Sequence, residues 1–130
     1  MPDGAKKRVL VADDDLDLLD LLKMDLSLQG YDVLTAANGK DTLQLAANEP
    51  IDLILLDVMM PYIDGYHVAY ELTSKLGAKA PCILIMSSRD TAREKGIAAM
   101  SGAAGVIQKP FQMEELHARL SELLAKTPPK

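Results

Sequence analysis

Short runs rich in valine, isoleucine and leucine recur along the chain at Val9–Ala12, Val33–Ala36, Leu53–Leu56, Cys82–Met86 and Gly105–Ile107. Leu53-Ile54-Leu55-Leu56 is apolar at consecutive positions, the pattern of a strand covered on both faces; a strand with one wet face would alternate. Between these runs lie stretches long enough for a helix, bounded by Gly, Pro, Asn or Asp. The first carries Leu18, Leu19, Leu22 and Leu26 as a stripe at helical spacing, facing the sheet, and Leu21, Met24 and Leu28 as a second stripe on roughly the opposite face. Asn38-Gly39 opens the second helix and Pro50 ends it, because proline lacks the amide and clashes with the preceding turn. Pro81 closes the loop before the fourth strand. Asp90 suits the cap of the fourth helix, and Gly102 falls where a left-handed C-cap belongs. Gly96, inside that helix, weakens it by about 1 kcal/mol relative to alanine. Strands alternating with helices at this spacing predict right-handed βαβ units and a parallel sheet, so the expectation is an α/β fold of five strands and five helices.

Length and composition narrow the classes. A chain of 130 residues, 48% hydrophobic and 25% charged, supports one packed domain and rules out wholesale disorder. The expected domain is the whole chain, with a core over about residues 8–124 and terminal extensions at 1–7 and 125–130. A net charge of −5 repels phosphate backbones, so direct nucleic-acid binding is not expected. The single cysteine, Cys82, permits no internal disulfide and reads as a small core residue. The charged N-terminus has no apolar segment behind it, and no run approaches the ~20 residues that cross a bilayer. A soluble cytoplasmic protein without membrane contact is the expectation.

The polar residues that terminate the strands carry the chemistry. The first strand runs into Asp13-Asp14-Asp15, the third into Asp57, the fourth into Ser87-Ser88, the fifth into Gln108-Lys109-Pro110. In a parallel sheet these ends share one edge, and ligands bind where the strand order reverses. If the order is 2-1-3-4-5, the first and third strands are neighbours and their carboxylates face each other. Several carboxylates at close range repel unless a cation neutralises them. All-oxygen ligands suit Mg²⁺, or Mn²⁺, rather than zinc. With a metal held by two acids, a third carboxylate can attack a phosphoryl group, its developing charge stabilised by the metal, Lys109 and a hydroxyl. Ser87 and Ser88 are both candidates for that hydroxyl.

The ordered set Val9-Leu10-Val11-Ala12-Asp13-Asp14-Asp15, Asp52-Leu53-Ile54-Leu55-Leu56-Asp57-Val58-Met59-Met60-Pro61, Asp64-Gly65 and Lys109-Pro110-Phe111 resembles the receiver domain of two-component response regulators, over nearly the whole chain from Arg8 to about Leu124. The resemblance implies the flavodoxin-like (βα)5 fold, doubly wound, with sheet order 2-1-3-4-5. It implies a signalling domain rather than an enzyme, one that takes part in its own phosphorylation and dephosphorylation. Asp57 would be the phosphoacceptor, taking phosphoryl from the phosphohistidine of a sensor histidine kinase or histidine phosphotransfer protein. Asp14 and Asp57 would bind Mg²⁺ directly, with the backbone carbonyl of Met59 as a further ligand and Asp13 acting through water. Ser87 and Lys109 would each hold a phosphoryl oxygen, and the Lys109-Pro110 bond would be cis. Asp15 more naturally starts the first helix. Met59 and Arg89 would flank the path of attacking water. The output partner is not named by the sequence. With no effector segment after the fifth helix, a stand-alone regulator is the expectation.

Two features depart from or add to that pattern. Receivers commonly place Tyr or Phe in the fifth strand, as a switch partner of the hydroxyl residue; here Val106 stands there, so output would rely instead on the mobility of a fourth helix weakened by Gly96. The Leu21–Met24–Leu28 stripe is either a set of scattered surface apolars or a kinase docking surface. His67 and His117 read as surface residues and not ligands. The alternatives to a phosphorylated receiver are a phosphatase of the haloacid-dehalogenase type with Asp13 as nucleophile and a scaffold receiver that is not phosphorylated. A toprim-like nucleic-acid domain is disfavoured by charge, and a flavodoxin-like cofactor binder by carboxylates where its phosphate loop needs neutral donors.

Overall fold

The computed structural model describes residues 6–60, 63–89 and 91–126. Pro61, the Asp90 cap and the tail from Thr127 lie outside the described residues. The elements run β1 (Arg8–Ala12), α1 (Leu16–Leu28), β2 (Asp32–Ala36), α2 (Gly39–Asn48), β3 (Leu53–Asp57), α3 (Gly65–Leu76), β4 (Cys82–Ser87), α4 (Thr91–Met100), β5 (Gly105–Gln108) and α5 (Met113–Ala125), with one 3-10 turn at Gly77–Lys79. All strand pairs are parallel and the order is β2-β1-β3-β4-β5. This is the expected doubly wound fold.

Two apolar layers flank the sheet, and β3 feeds both. Leu53 and Leu55 pack with Leu19, Leu22 and Leu26 of α1 and Leu116 and Leu120 of α5. Ile54 and Leu56 point the other way, to Val68 and Leu72 of α3 and Ala98 of α4. The unbroken apolar run of β3 is the signature of this two-sided burial.

Helix ends follow their local chemistry. The Asp15 carboxylate accepts from the N–H groups of Asp17 and Leu18, Asn38 from Asp41, and Asp64 from His67. Gly102 ends α4 at φ +93°, a left-handed conformation that an L side chain rarely adopts. Cys82 is half-buried at the start of β4, packed at the core margin. His67 is exposed, 3.9 Å from Glu71. His117 differs from its expected surface setting: it is half-buried and 2.6 Å from Asp25, tying α5 to α1.

Candidate functional site

The register brings the strand ends together. Ala12 pairs with Leu56 and Asp57 with Met86, so Asp13, Asp57 and Ser87 leave three adjoining strands at one level. Backbone hydrogen bonds continue past the strand ends, from Asp13 N–H to the Ala36 carbonyl and from Lys109 N–H to that of Ser87. These bonds hold each functional residue where its strand delivers it.

Asp13, Asp14 and Asp57 each bring a carboxylate oxygen within 4.8 Å of the others. Asp13 and Asp57 are 1% and 5% exposed, whereas Asp14 stands in solvent. Lys109 reaches across from the end of β5, its Nζ 2.7 Å from Asp13 and 3.3 Å from Asp57. Asp13 also accepts the Asp15 N–H at 2.9 Å. The Lys109-Pro110 peptide bond is cis.

Electrostatics set Asp57 apart. Burial pushes its carboxyl above the usual carboxylate range and the Asp13 charge adds to this, while Lys109 and the Met59 N–H act in the opposite sense. The Lys109 ammonium is held above its ordinary range. Burial alone would lower it, but the Asp13 and Asp57 carboxylates together outweigh that. Two buried acids sharing one lysine leave a net negative pocket open on the Asp14 side. Its donors are all carboxylate oxygens, so it fits a hard divalent cation and excludes none of the oxygen ligands that Mg²⁺ or Mn²⁺ takes.

Gly65 explains the Asp64-Gly65 motif. A Cβ at this position would stand 2.3 Å from the Asp57 carbonyl oxygen and 3.0 Å from the Val58 Cα. The first turn of α3 thus packs directly on the backbone of Asp57, and Gly65 N–H donates to the Val58 carbonyl at 2.9 Å.

The structure distinguishes the two serines. Ser87 is 2% exposed, whereas Ser88 is exposed and lines a groove of about 420 Å³ with Leu18, Leu21, Phe111 and Met113. The Ser87 hydroxyl donates to Oε1 of Glu94 at 3.2 Å, and the same oxygen accepts the Tyr66 hydroxyl at 2.7 Å. Burial and the Glu94 hydrogen bond hold the Tyr66 phenol well above its ordinary range. Sequence reasoning missed both Glu94 and Tyr66. The available signal was spacing: Glu94 lies one turn before Ala98, and these are the buried positions among the described side chains of α4. Val106 is buried in the apolar layer behind them. Arg89 Nη2 contacts the Met59 sulfur at 3.3 Å, at the outer rim.

A parallel α/β domain whose acids from β1 and β3 meet a lysine from the end of β5, where the strand order reverses, defines the receiver class. The sequence profile of the response regulator receiver domain matches residues 9–121, and the chain belongs to that family. It is 41% identical over 122 residues to response regulator MprA of Mycolicibacterium vanbaalenii, covering 94% of this chain and 52% of the relative, and 40% identical over 123 residues to MprA of Mycobacterium avium, covering 95% and 53%. The chain thus spans about half the length of these curated relatives. Among solved structures it resembles the receiver domain of Francisella response regulator 1452 (TM-score 0.86, 31% identity, 93% of this chain and 98% of that one). It also resembles Thermotoga maritima TrrA in complex with Mg²⁺ and BeF (TM-score 0.81, 32% identity, 90% and 98%). The chain is therefore a two-component signalling domain, and the phosphatase alternative is displaced by that membership. No described helix is long and apolar enough to cross a membrane.

Proposed function

We propose that this domain accepts a phosphoryl group on Asp57 from a phosphohistidine and passes the change to an output partner or domain. An Asp57 carboxylate oxygen attacks phosphorus, the P–N bond to the imidazole breaks, and its electron pair stays on the histidine nitrogen, giving an aspartyl phosphate. The observation that carries this reading is the meeting of Asp57 with Lys109 at 3.3 Å and with Asp13 and Asp14 within 4.8 Å, at the end of β3. Asp14, Asp57 and the Met59 carbonyl would hold Mg²⁺ (or Mn²⁺), with Asp13 acting through water. Bound there, the ion would neutralise charge on the transferring phosphoryl group. Lys109 and Ser87 would each take one phosphoryl oxygen.

Incubation with Mg²⁺ and acetyl phosphate should add one base-labile phosphoryl group, located by peptide mass spectrometry at Asp57 and retained in Asp15→Asn. A phosphoryl group on Asp13 instead, or none, overturns the assignment. Lys109→Ala removes the cation that now competes for Asp13 and Asp57. Mg²⁺ affinity should rise while phosphoryl uptake slows by roughly 10²-fold, the usual loss for one charge-stabilising donor. Calorimetric Mg²⁺ titration and a quenched time course read the two effects separately.

The partner that supplies phosphoryl would be a sensor histidine kinase or histidine phosphotransfer protein docking on α1. Leu21, Met24 and Leu28 are 51%, 66% and 80% exposed there, beside the apolar groove that leads to Lys109. Met24→Glu should slow transfer from the cognate kinase by about tenfold, ~1.4 kcal/mol, and leave uptake from acetyl phosphate unchanged. Equal slowing with both donors would place the defect in the pocket rather than in docking.

A further inference from the structure

The Ser87 hydroxyl is already engaged. It donates to Glu94 at 3.2 Å and accepts the Arg89 N–H at 3.1 Å. Glu94, 2% exposed, also accepts the Tyr66 hydroxyl, so one buried carboxylate joins the end of β4 to α4 and α3. Burying a carboxylate is unfavourable unless donors satisfy it, and these two hydroxyls are its hydrogen-bond donors among the described residues. Val106, at 3% exposure within the apolar layer, has no polar atom in its side chain to take part.

We propose that Glu94 is a positioning residue that holds Ser87 in its resting direction and carries the departure of Ser87 into α4. The inference rests on the reading of Asp57 as phosphoacceptor. A serine hydroxyl has a single proton to donate, so it serves Glu94 or a phosphoryl oxygen on Asp57, not both. Once the phosphoryl group takes that proton, the Tyr66 hydroxyl is the remaining donor to Glu94 among the described residues, and the buried carboxyl group is left short of partners. Movement of α4 that brings the carboxylate to water relieves this. The helix offers little resistance, since Glu94 and Ala98 are its buried described side chains and Gly96 is a poor helix former. By linkage, whatever loosens Glu94 from Ser87 favours the phosphorylated state.

The test is the affinity for beryllofluoride, with Mg²⁺, of the wild type, Glu94→Gln, Ser87→Ala, the double variant and Tyr66→Phe. Glu94→Gln weakens the competing acceptor, so affinity should rise roughly three- to tenfold, the span of one net hydrogen bond, and this gain should vanish in the Ser87→Ala background. Tyr66→Phe removes the other donor and makes Glu94 hold Ser87 harder, so affinity should fall. Opposite signs are what a merely structural role would not produce. The same gain from Glu94→Gln in both backgrounds, or Tyr66→Phe shifting affinity in the same direction as Glu94→Gln, overturns the inference. Should Glu94→Gln fail a thermal-melt check of folding, an unchanged or raised affinity in Tyr66→Phe is enough to overturn it, and a lowered one supports it. A wild type that binds no beryllofluoride and takes up no phosphoryl group refutes the Asp57 reading itself.

Discussion

Asp57→Asn is expected to take up no phosphoryl group and, at neutral pH without divalent cations, to melt at a higher temperature than the wild type. The first effect follows because an amide is not a nucleophile toward phosphorus under these conditions. The second follows from burial. Asp57 is 5% exposed beside Asp13, and its carboxyl sits above its ordinary value of 3.8. In the window from that value up to the raised one, the folded state holds more protons than the unfolded state, so wild-type stability falls as pH rises. Asparagine escapes that penalty. The variant's advantage should be on the order of 1 kcal/mol, roughly 4 °C in Tm, at neutral pH, and should fade as pH drops below the ordinary carboxylate range. Mg²⁺ should narrow or reverse the gap, since the wild type keeps the carboxylate proposed to bind it, which the variant lacks. Melts in chelator and in Mg²⁺, at acid and neutral pH, check every part. A variant less stable than wild type in chelator at neutral pH would show that Lys109 already compensates the buried charge in full.

Gly65→Ala should have the largest effect on stability. The added methyl meets the Asp57 carbonyl oxygen at 2.3 Å, a backbone atom that cannot swing aside as a flexible side chain would. Either α3 lifts from the sheet or the end of β3 moves. Overpacking of this kind costs about 3 kcal/mol, which lowers Tm by roughly 10 °C in a domain of this size. Because the displaced backbone carries Asp57, the proposed phosphoacceptor, uptake from acetyl phosphate should drop by about 10²-fold even at temperatures where the variant is fully folded. Denaturant unfolding and a phosphorylation time course separate the two losses. Wild-type uptake in a destabilised variant would mean that α3 yields and β3 does not.

These two residues show how unevenly the chain displays its design. Asp57 could be found in one dimension: an apolar run that ends in an acid is a local pattern, and three further strands end in residues of matching chemistry. Gly65 was visible only as part of a motif, and its reason is steric contact with a backbone eight residues earlier. Asp15 was legible as a helix start because a cap bonds to amides two and three positions on. Glu94 was not. Its polarity reads as surface on any hydrophobicity pattern, and its partner Tyr66 lies 28 residues away on another helix. His117 was assigned to solvent for the same reason, its partner Asp25 being 92 residues distant.

The sequence by itself determined the alternation of strands and helices, the two-sided burial of β3 and the set of acids, hydroxyls and lysine available at one sheet edge. Those follow from periodicity and capping, which act between residues a few positions apart. Tertiary structure alone decided which oxygen meets which proton: Lys109 between Asp13 and Asp57, Ser87 rather than Ser88 in the interior, and Glu94 gathering the hydroxyls of two elements. Such pairings arise because close packing brings distant polar groups into a low-dielectric space, where each must find a partner, and no local pattern of the chain encodes which partner that will be.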